Sequence, residues 1–488
     1  MTILVKEMKN SNHQSDRAKA RWSILRDALL KNKTATNSSS SNLRDKNAAN
    51  DGSVNKHSIH KFPGFQMLQR SIVQDTLHPE NKDEYEIVEY EVPIGMSEYI
   101  RGHDEGGNNS SKLETSRGDG SCSSILVRTK ERKLNETRLS LEELTSHAHF
   151  GVDNTGNTRV WDCSNVLAFL VMGEKMLPIN ASANGGKDEG DKIYSKNLPF
   201  IGLRDILSLA THQSGANINE RKMLRVLELG SGMAALPSLA LSMLDRPRQG
   251  RIEIENMCPH DLPYIDVTIT DGHPKAIQNN IVCAKLMQQL HVLVESSNDH
   301  EENSTNICAK NNIRCRELLW KANKVGANEC AELMKNSDGG HSTQSPFDLV
   351  LVSDCTHFTD FHADLAVTIG RVLRIGGVCI LCQPRRGTSL DLFIELIHAM
   401  NGDGRGIIGC RQSEENEENI NDPLFQVDLH REYSQEISAR HQSLLDEKNE
   451  LYEPNIHYPL LLILKKLREY SEETDTDRAT CREHVKNR

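Results

Sequence analysis

The chain has 488 residues, 37% hydrophobic and only 5% aromatic, so a sizeable core is expected alongside a large share of loop or disordered chain. Its 58 basic and 69 acidic side chains give a formal net charge of −11, which argues against a bulk nucleic-acid binder. No run approaches the ~20 apolar residues of a membrane span and the amino terminus has no apolar stretch of signal-peptide length, so a soluble protein is expected.

The twelve cysteines form no paired framework and read as reduced thiols of a protein of the cytoplasm or nucleus. Cys379 and Cys382 have redox-motif spacing, but alternation within a strand explains them better. Residues 1–14 are expected to be disordered. Residues 15–31 read as an amphipathic helix with Trp22, Leu25, Leu29 and Leu30 on one face. A Ser/Asn/Lys-rich linker follows to about residue 56, with a serine run from Ser38 to Ser41. Alternating segments at 85–92 and 124–128 predict a small β-rich region, interrupted by a Gly/Ser stretch at 105–123. Helix, linker and strands together make an amino-terminal region over 15–150.

From Thr158 onward apolar strands alternate with helical patterns, the signature of a parallel α/β sheet, and residues 151–470 read as one domain. Strands are predicted at 224–229, 265–270, 313–318, 347–353, 376–382, 424–429 and 457–464. Helices are predicted at 164–174, 233–244, 273–290, 360–373, 388–400 and 433–448, with Pro274 suited to a first turn. Polar inserts at 181–196, 246–262, 294–310, 326–345 and 402–423 read as surface loops, and 471–488 as a disordered tail. Seven strands, the last reached by a hairpin, describe a doubly wound, Rossmann-like α/β fold.

The most informative stretch is 224–235, where an apolar run delivers Glu228 into the turn Gly230-Ser231-Gly232, ahead of a helical segment. Glycines let a ligand approach the backbone, and a carboxylate beside them suits a cationic, hydroxyl-bearing cofactor better than a pyrophosphate. S-adenosylmethionine has that character. The rival is a nicotinamide dinucleotide, since Gly230, Gly232 and Ala235 also satisfy the dinucleotide spacing. Asp271, followed by Gly272, ends the next strand and could accept hydrogen bonds from ribose hydroxyls, or cap the helix that follows. Trp320 closes the third strand and could wall in an adenine, or serve only as core. Trp161 precedes a helix and could cover the cofactor, or anchor packing.

Ser353 and Asp354 end the fourth strand, where the reacting centre of such a sheet lies. The Asn/Asp-Pro-Pro-Tyr/Phe motif of adenine and glutamine methylation is absent there. His357 and His362 near Asp354 match no common zinc spacing and read as solvated loop histidines, so no metal is expected. Arg385 and Arg386, after the fifth strand, could grip an acidic partner or form a solvated turn.

Taken together, the segments Arg21-Trp-Ser-Ile-Leu-Arg26, Val152-Asp-Asn-Thr-Gly-Asn157, 226–233 and Thr270-Asp-Gly272 resemble the calmodulin-lysine N-methyltransferases, a group within the seven-strand class I protein lysine methyltransferases. The most specific segments are Pro384-Arg-Arg-Gly387 and Tyr452-Glu-Pro-Asn-Ile-His-Tyr-Pro-Leu-Leu-Leu-Ile-Leu464. The resemblance implies S-adenosylmethionine-dependent methylation, up to the trimethyl form, of a lysine in calmodulin; the alternatives are methylation of a lysine in another protein, or a binding protein that keeps the sheet without catalysis. It places the cofactor among Trp161, Glu228, Gly230, Ser231, Gly232, Asp271, Gly272, Trp320, Ser353 and Asp354, with Asp354 catalytic. Asp162 stands where such proteins place proline, and Thr356-His357 where they are apolar, both near the expected lysine entrance.

Overall fold

In the computed structural model, three short strands come first: β1 (Gln69–Val73), β2 (Tyr85–Pro93) and β3 (Ser124–Arg132), antiparallel in the order β1-β2-β3. The structure describes residues 64–73, 85–94, 124–133, 160–173, 202–210, 222–245, 262–296, 313–335, 345–402, 422–449, 451–476 and 479–480. Val88, Tyr90 and Val92 on β2, with Ile125 and Val127 on β3, are buried at the period of two that turns one strand face inward.

Helices α1 (Asp162–Met172) and α2 (Leu203–Ser208) lead into the large sheet. Then follow β4 (Met223–Leu229), α3 (Leu236–Ser242), β5 (Tyr264–Asp271), α4 (Pro274–Ser296), β6 (Ile313–Glu317) and α5 (Lys324–Leu333). The second half runs β7 (Phe347–Ser353), α6 (His362–Val372), β8 (Leu373–Pro384), α7 (Ser389–Met400), β9 (Phe425–His430), α8 (Gln435–Asp446), α9 (Pro454–His457) and β10 (Pro459–Lys466).

The seven strands lie in the order β6-β5-β4-β7-β8-β10-β9. All neighbours are parallel except β10, which runs antiparallel to both β8 and β9. This is the doubly wound seven-strand architecture the sequence predicts. The chain leaves β4 for β5 on one side and returns to β7 on the other, so the strand order reverses at β4. Ligands of open α/β sheets bind outside the carboxyl ends of the strands at such a reversal.

Strands β4, β5, β7 and β8 are covered on both faces, as continuous apolar runs in a parallel sheet require. One face packs against α1 to α4, α8 and the small sheet; the other packs against α5, α6 and α7. Cys379 falls in one core and Cys382 in the other, so strand alternation accounts for their spacing. The described cysteines are free thiols.

The small sheet is tied to α4 through unusual partners. Backbone N–H groups of Arg128 and Lys130 donate to Met287 Sδ at 3.2 Å and Cys283 Sγ at 3.4 Å. Asn279 Nδ2 donates to Lys130 O at 2.8 Å and to Met233 O at 2.6 Å, joining that sheet to the segment after the glycine turn.

Some expectations are corrected. Polar segment 326–345 begins as helix α5 rather than loop: Asn323 caps it, accepting from Val325 N and Gly326 N. Helix α2 has no counterpart among the predicted elements. Residues 471–476, expected in a disordered tail, are packed: Asp475 is fully buried and takes a two-point contact from Arg468 at 2.7 and 2.8 Å. The helix at 15–31, the insert at 181–196 and most of 246–262, 297–310 and 403–421 lie outside the described residues. No helix among the described residues is long and apolar enough to cross a membrane.

Candidate active site at the carboxyl edge of the sheet

The turn after β4 depends on two left-handed glycines, Gly230 at φ +65° and Gly232 at φ +61°. A Cβ on Gly230 would lie 2.5 Å from Cys355 Sγ and 3.0 Å from the Trp320 ring, so the close approach admits only glycine. Ser231 N donates to Thr270 O at 3.0 Å, tying the turn to β5. Asn280 of α4 holds it from below: Nδ2 donates to Ser231 Oγ (2.9 Å) and Gly232 O (3.0 Å), while Oδ1 accepts from Ala235 N (3.1 Å).

Asp271 stands beside this turn. One carboxylate oxygen accepts from Gly232 N at 2.8 Å and the other from His273 N at 2.7 Å. The helix-cap and cofactor readings of Asp271 are therefore compatible, because each oxygen keeps a second acceptor site. Burial pushes its carboxyl up to about 6, against those two hydrogen bonds. Gly272 follows directly and passes the chain into α4.

Glu228 lies beneath the turn, almost fully buried. Burial pushes its carboxyl up to about 8; Ser238, whose backbone N–H donates to Oε2 at 3.2 Å, opposes the shift, and Asp271 adds to it. Among the described residues its Oε1 has no partner, and neither has the buried indole N–H of Trp320. Buried polar atoms are rarely left unpaired, and two of them beside one glycine turn mark a place where a ligand completes the structure.

Trp320 is held by the segment after it. Arg371 of α6 donates to Lys321 O and Ala322 O, each at 2.7 Å, and pairs with Glu472 at 2.7 and 2.8 Å. Asp364 accepts from Ala322 N at 2.6 Å.

At the end of β7, Ser353 passes the chain to Asp354, whose φ is +53°. Cys355 follows, its thiol 3.7 Å from Gly230 O, so the ends of β4 and β7 touch. Arg386 grips Asp354 at two points, Nε to Oδ1 at 2.9 Å and Nη2 to Oδ2 at 2.6 Å. The guanidinium also lies over the Trp161 ring, 5.6 Å from its centroid. Arg386, like Asp354, has a left-handed backbone, at φ +45°, and its N–H donates to Asn455 O at 2.7 Å. Trp161, Asp354 and Arg386, far apart in sequence, are thus one assembly. Arg385 points elsewhere, pairing with Asp391 at 2.8 Å. Each arginine expected to grip an acidic partner is thus engaged with a carboxylate of this chain.

Of the two histidines, His357 is half-buried in the turn after β7, whereas His362 is not a solvated loop residue. His362 is buried at the start of α6, its Nε2 2.7 Å from Thr356 O. The His357 and Phe358 rings meet at a tilt of 45° with centroids 3.9 Å apart, and Phe358 meets Phe361 edge-on at 6.3 Å. These rings are half-buried, and His357 Nδ1 lies 3.0 Å from Asp354 O. Gln383, fully buried, shapes the same loop by accepting from Thr356 N and Oγ1, both at 3.1 Å. Asn279, Asn280, Gln383, Phe358 and Phe361 were not singled out from sequence; only the paired asparagines at the start of a predicted helix offered a local signal.

Residues 279–400 match the family model described as lysine methyltransferase. Over 157 residues the chain is 28% identical to the calmodulin-lysine N-methyltransferase of Arabidopsis thaliana, covering 31% of this chain and 43% of that one. The chain thus spans less than half the length of that curated relative. Among solved structures, an O-methyltransferase from Bacillus cereus, determined with S-adenosylhomocysteine, has 11% identity and a TM-score of 0.26, covering 50% of this chain and 74% of its own. An rRNA methylase from Streptococcus thermophilus has 12% identity and a TM-score of 0.24, covering 50% and 88%.

The residues at the sheet edge fit a cofactor with an amino-acid end, a ribose and an adenine: acidic groups from three strand ends, a glycine turn open to close approach, and an indole wall. Sheet order and glycine turn together give the seven-strand doubly wound fold of class I methyltransferases, residues 279–400 of it match the lysine methyltransferase model, and the site fits S-adenosylmethionine as its cofactor.

Proposed function

We propose that this domain methylates the side-chain nitrogen of a lysine in a protein substrate, and that the substrate is calmodulin. The observation that carries the reading is the end of β7, within the matched span, where Arg386 grips the Asp354 carboxylate over the Trp161 ring and His357 Nδ1 lies 3.0 Å from the Asp354 carbonyl. The relative named for calmodulin and the segment 452–464 support the finer choice of substrate.

When bound, the cofactor supplies a methyl group activated by a sulfonium. The protein's part is placement and the exclusion of water, which supply most of the acceleration in such a transfer. A lysine ammonium with an ordinary pKa near 10.4 costs roughly 4–5 kcal/mol to deprotonate at pH 7. His357, Phe358 and Phe361 lessen that cost by offering the side chain a poorly hydrated wall. Asp354 orients the reacting partners, held in place by the two-point contact with Arg386. Glu228, Asp271 and Trp320 hold the cofactor from the other side of the turn, and Trp161 covers it.

A second reading, methylation of a lysine in another protein, keeps the same site and is favoured by the departure of the sequence from the resemblance at Thr356 and His357. We further propose that the protein acts in the cytoplasm or nucleus. Incubation with labelled methyl donor and either calmodulin or whole-cell extract tests these readings. Label in calmodulin supports the first. Label confined to other proteins supports the second, and no label in either overturns both.

A further inference from the structure

We infer that Arg386, together with Asp354, forms the subsite for the amino-acid end of the cofactor: the guanidinium takes the α-carboxylate and Asp354 the α-ammonium. The inference rests on the cofactor assignment above. It extends it to a residue that neither the glycine turn nor the strand-end acids point to.

Four observations carry it. Arg386 spends only Nε and one N–H of Nη2 on Asp354, and its Nη1 has no acceptor among the described residues. Its side chain keeps 27% of its exposure while that of Asp354 keeps 6%, so the cation is open on one side. Each oxygen of Asp354 accepts one N–H from Arg386, which leaves room to accept an ammonium. Finally, both residues sit in left-handed backbone without being glycine, at the ends of adjacent strands β7 and β8. Such strain persists where the surroundings over-determine it, and it concentrates at ligand clamps.

The chemistry matches a zwitterion better than a simple ion. A lone anion would meet Asp354 and a lone cation would meet Arg386, each of like sign. An α-amino acid presents both charges at the separation of one carbon and can satisfy both residues at once. Trp161, over which the guanidinium lies, and the hydrogen bond from Arg386 N to Asn455 O keep the fork in place before the ligand arrives. That preorganisation lowers the ordering cost of binding. Cys355, whose thiol touches Gly230 O, sets the subsite directly beside the glycine turn.

Calorimetry of the full chain with two probes tests this. S-adenosylhomocysteine carries the amino-acid end, whereas 5′-methylthioadenosine has the same adenosine and sulfur without it. Arg386→Gln is expected to weaken S-adenosylhomocysteine by about 10–100-fold, the worth of a hydrogen bond to a charged group. The same variant should hold methylthioadenosine within about threefold of the original, which also shows that it folds. Arg386→Lys, keeping the cation without the fork, should fall between the two on S-adenosylhomocysteine. Equal losses on both probes, or no loss on either, would overturn the proposal. If the unsubstituted protein bound neither probe, the cofactor assignment underneath would fail, and the proposal with it.

Discussion

Asp354 and Arg386 are 32 residues apart in sequence, yet they close a two-point contact of 2.9 and 2.6 Å between the ends of neighbouring strands. Removing either partner leaves the other partly buried and uncompensated. Asp354→Ala is expected to lower methyl transfer by about 100-fold or more, the scale of losing placement at a reacting centre. Radiolabel incorporation, compared with the thermal midpoint of the same variant, checks this. Full activity would remove Asp354 from the chemistry.

Gly230 cannot carry a side chain without displacing its neighbours. In Gly230→Ala the left-handed backbone alone costs roughly 1–2 kcal/mol. The new methyl group would also strike Cys355 Sγ and the Trp320 ring. Urea unfolding should show the destabilisation, and calorimetry should show S-adenosylhomocysteine binding lost. A variant of unchanged stability would mean the turn is looser than described.

The buried carboxyls make stability depend on pH. Glu228 is raised from 4.5 to about 8 and Asp271 from 3.8 to about 6, both chiefly by burial. The folded protein holds these protons more tightly than the unfolded chain. Their contribution is therefore complete below the unfolded values and fades as pH rises, through about 6 for Asp271 and about 8 for Glu228. Without cofactor, the thermal midpoint should fall between pH ~5 and ~8, and Glu228→Gln, which stays neutral, should flatten that fall. Parallel curves for the two proteins would contradict the assignment.

Arg371 reaches the cofactor wall without touching it. It donates to the two carbonyls that follow Trp320 and pairs with Glu472 of the carboxyl-terminal segment. Arg371→Ala should weaken S-adenosylhomocysteine binding by about tenfold, the worth of one well-placed hydrogen bond. Glu472→Gln should matter less, because that carboxylate is more than half exposed and its ion pair is screened. Calorimetry on both variants separates them.

Much of this architecture was legible because its strands are plain. β4, β7 and β8 are apolar runs buried on both faces, and their observed bounds fall within a few residues of the predicted ones. Helix α5 escaped notice because only Gly326 and Cys330 are buried in it, so it carries no apolar stripe to read. The glycine turn and strand-end acids were visible because their chemistry is local. The Arg386 fork was not: its partner is set by the parallel pairing of β7 with β8, which adjacent sequence does not encode. Asn280 was hidden for the same reason, since its contacts to Ser231 and Gly232 span 49 and 48 residues.

The most direct measurement of the central claim is mass-spectrometric mapping of the methyl group on a substrate labelled by the purified chain. Whole methyl increments are expected, confined to the side-chain nitrogen of a lysine and reduced by about 100-fold or more in Asp354→Ala. Methyl groups found instead on oxygen, on arginine or on nucleic acid, or none transferred from S-adenosylmethionine to any extract component, would contradict it.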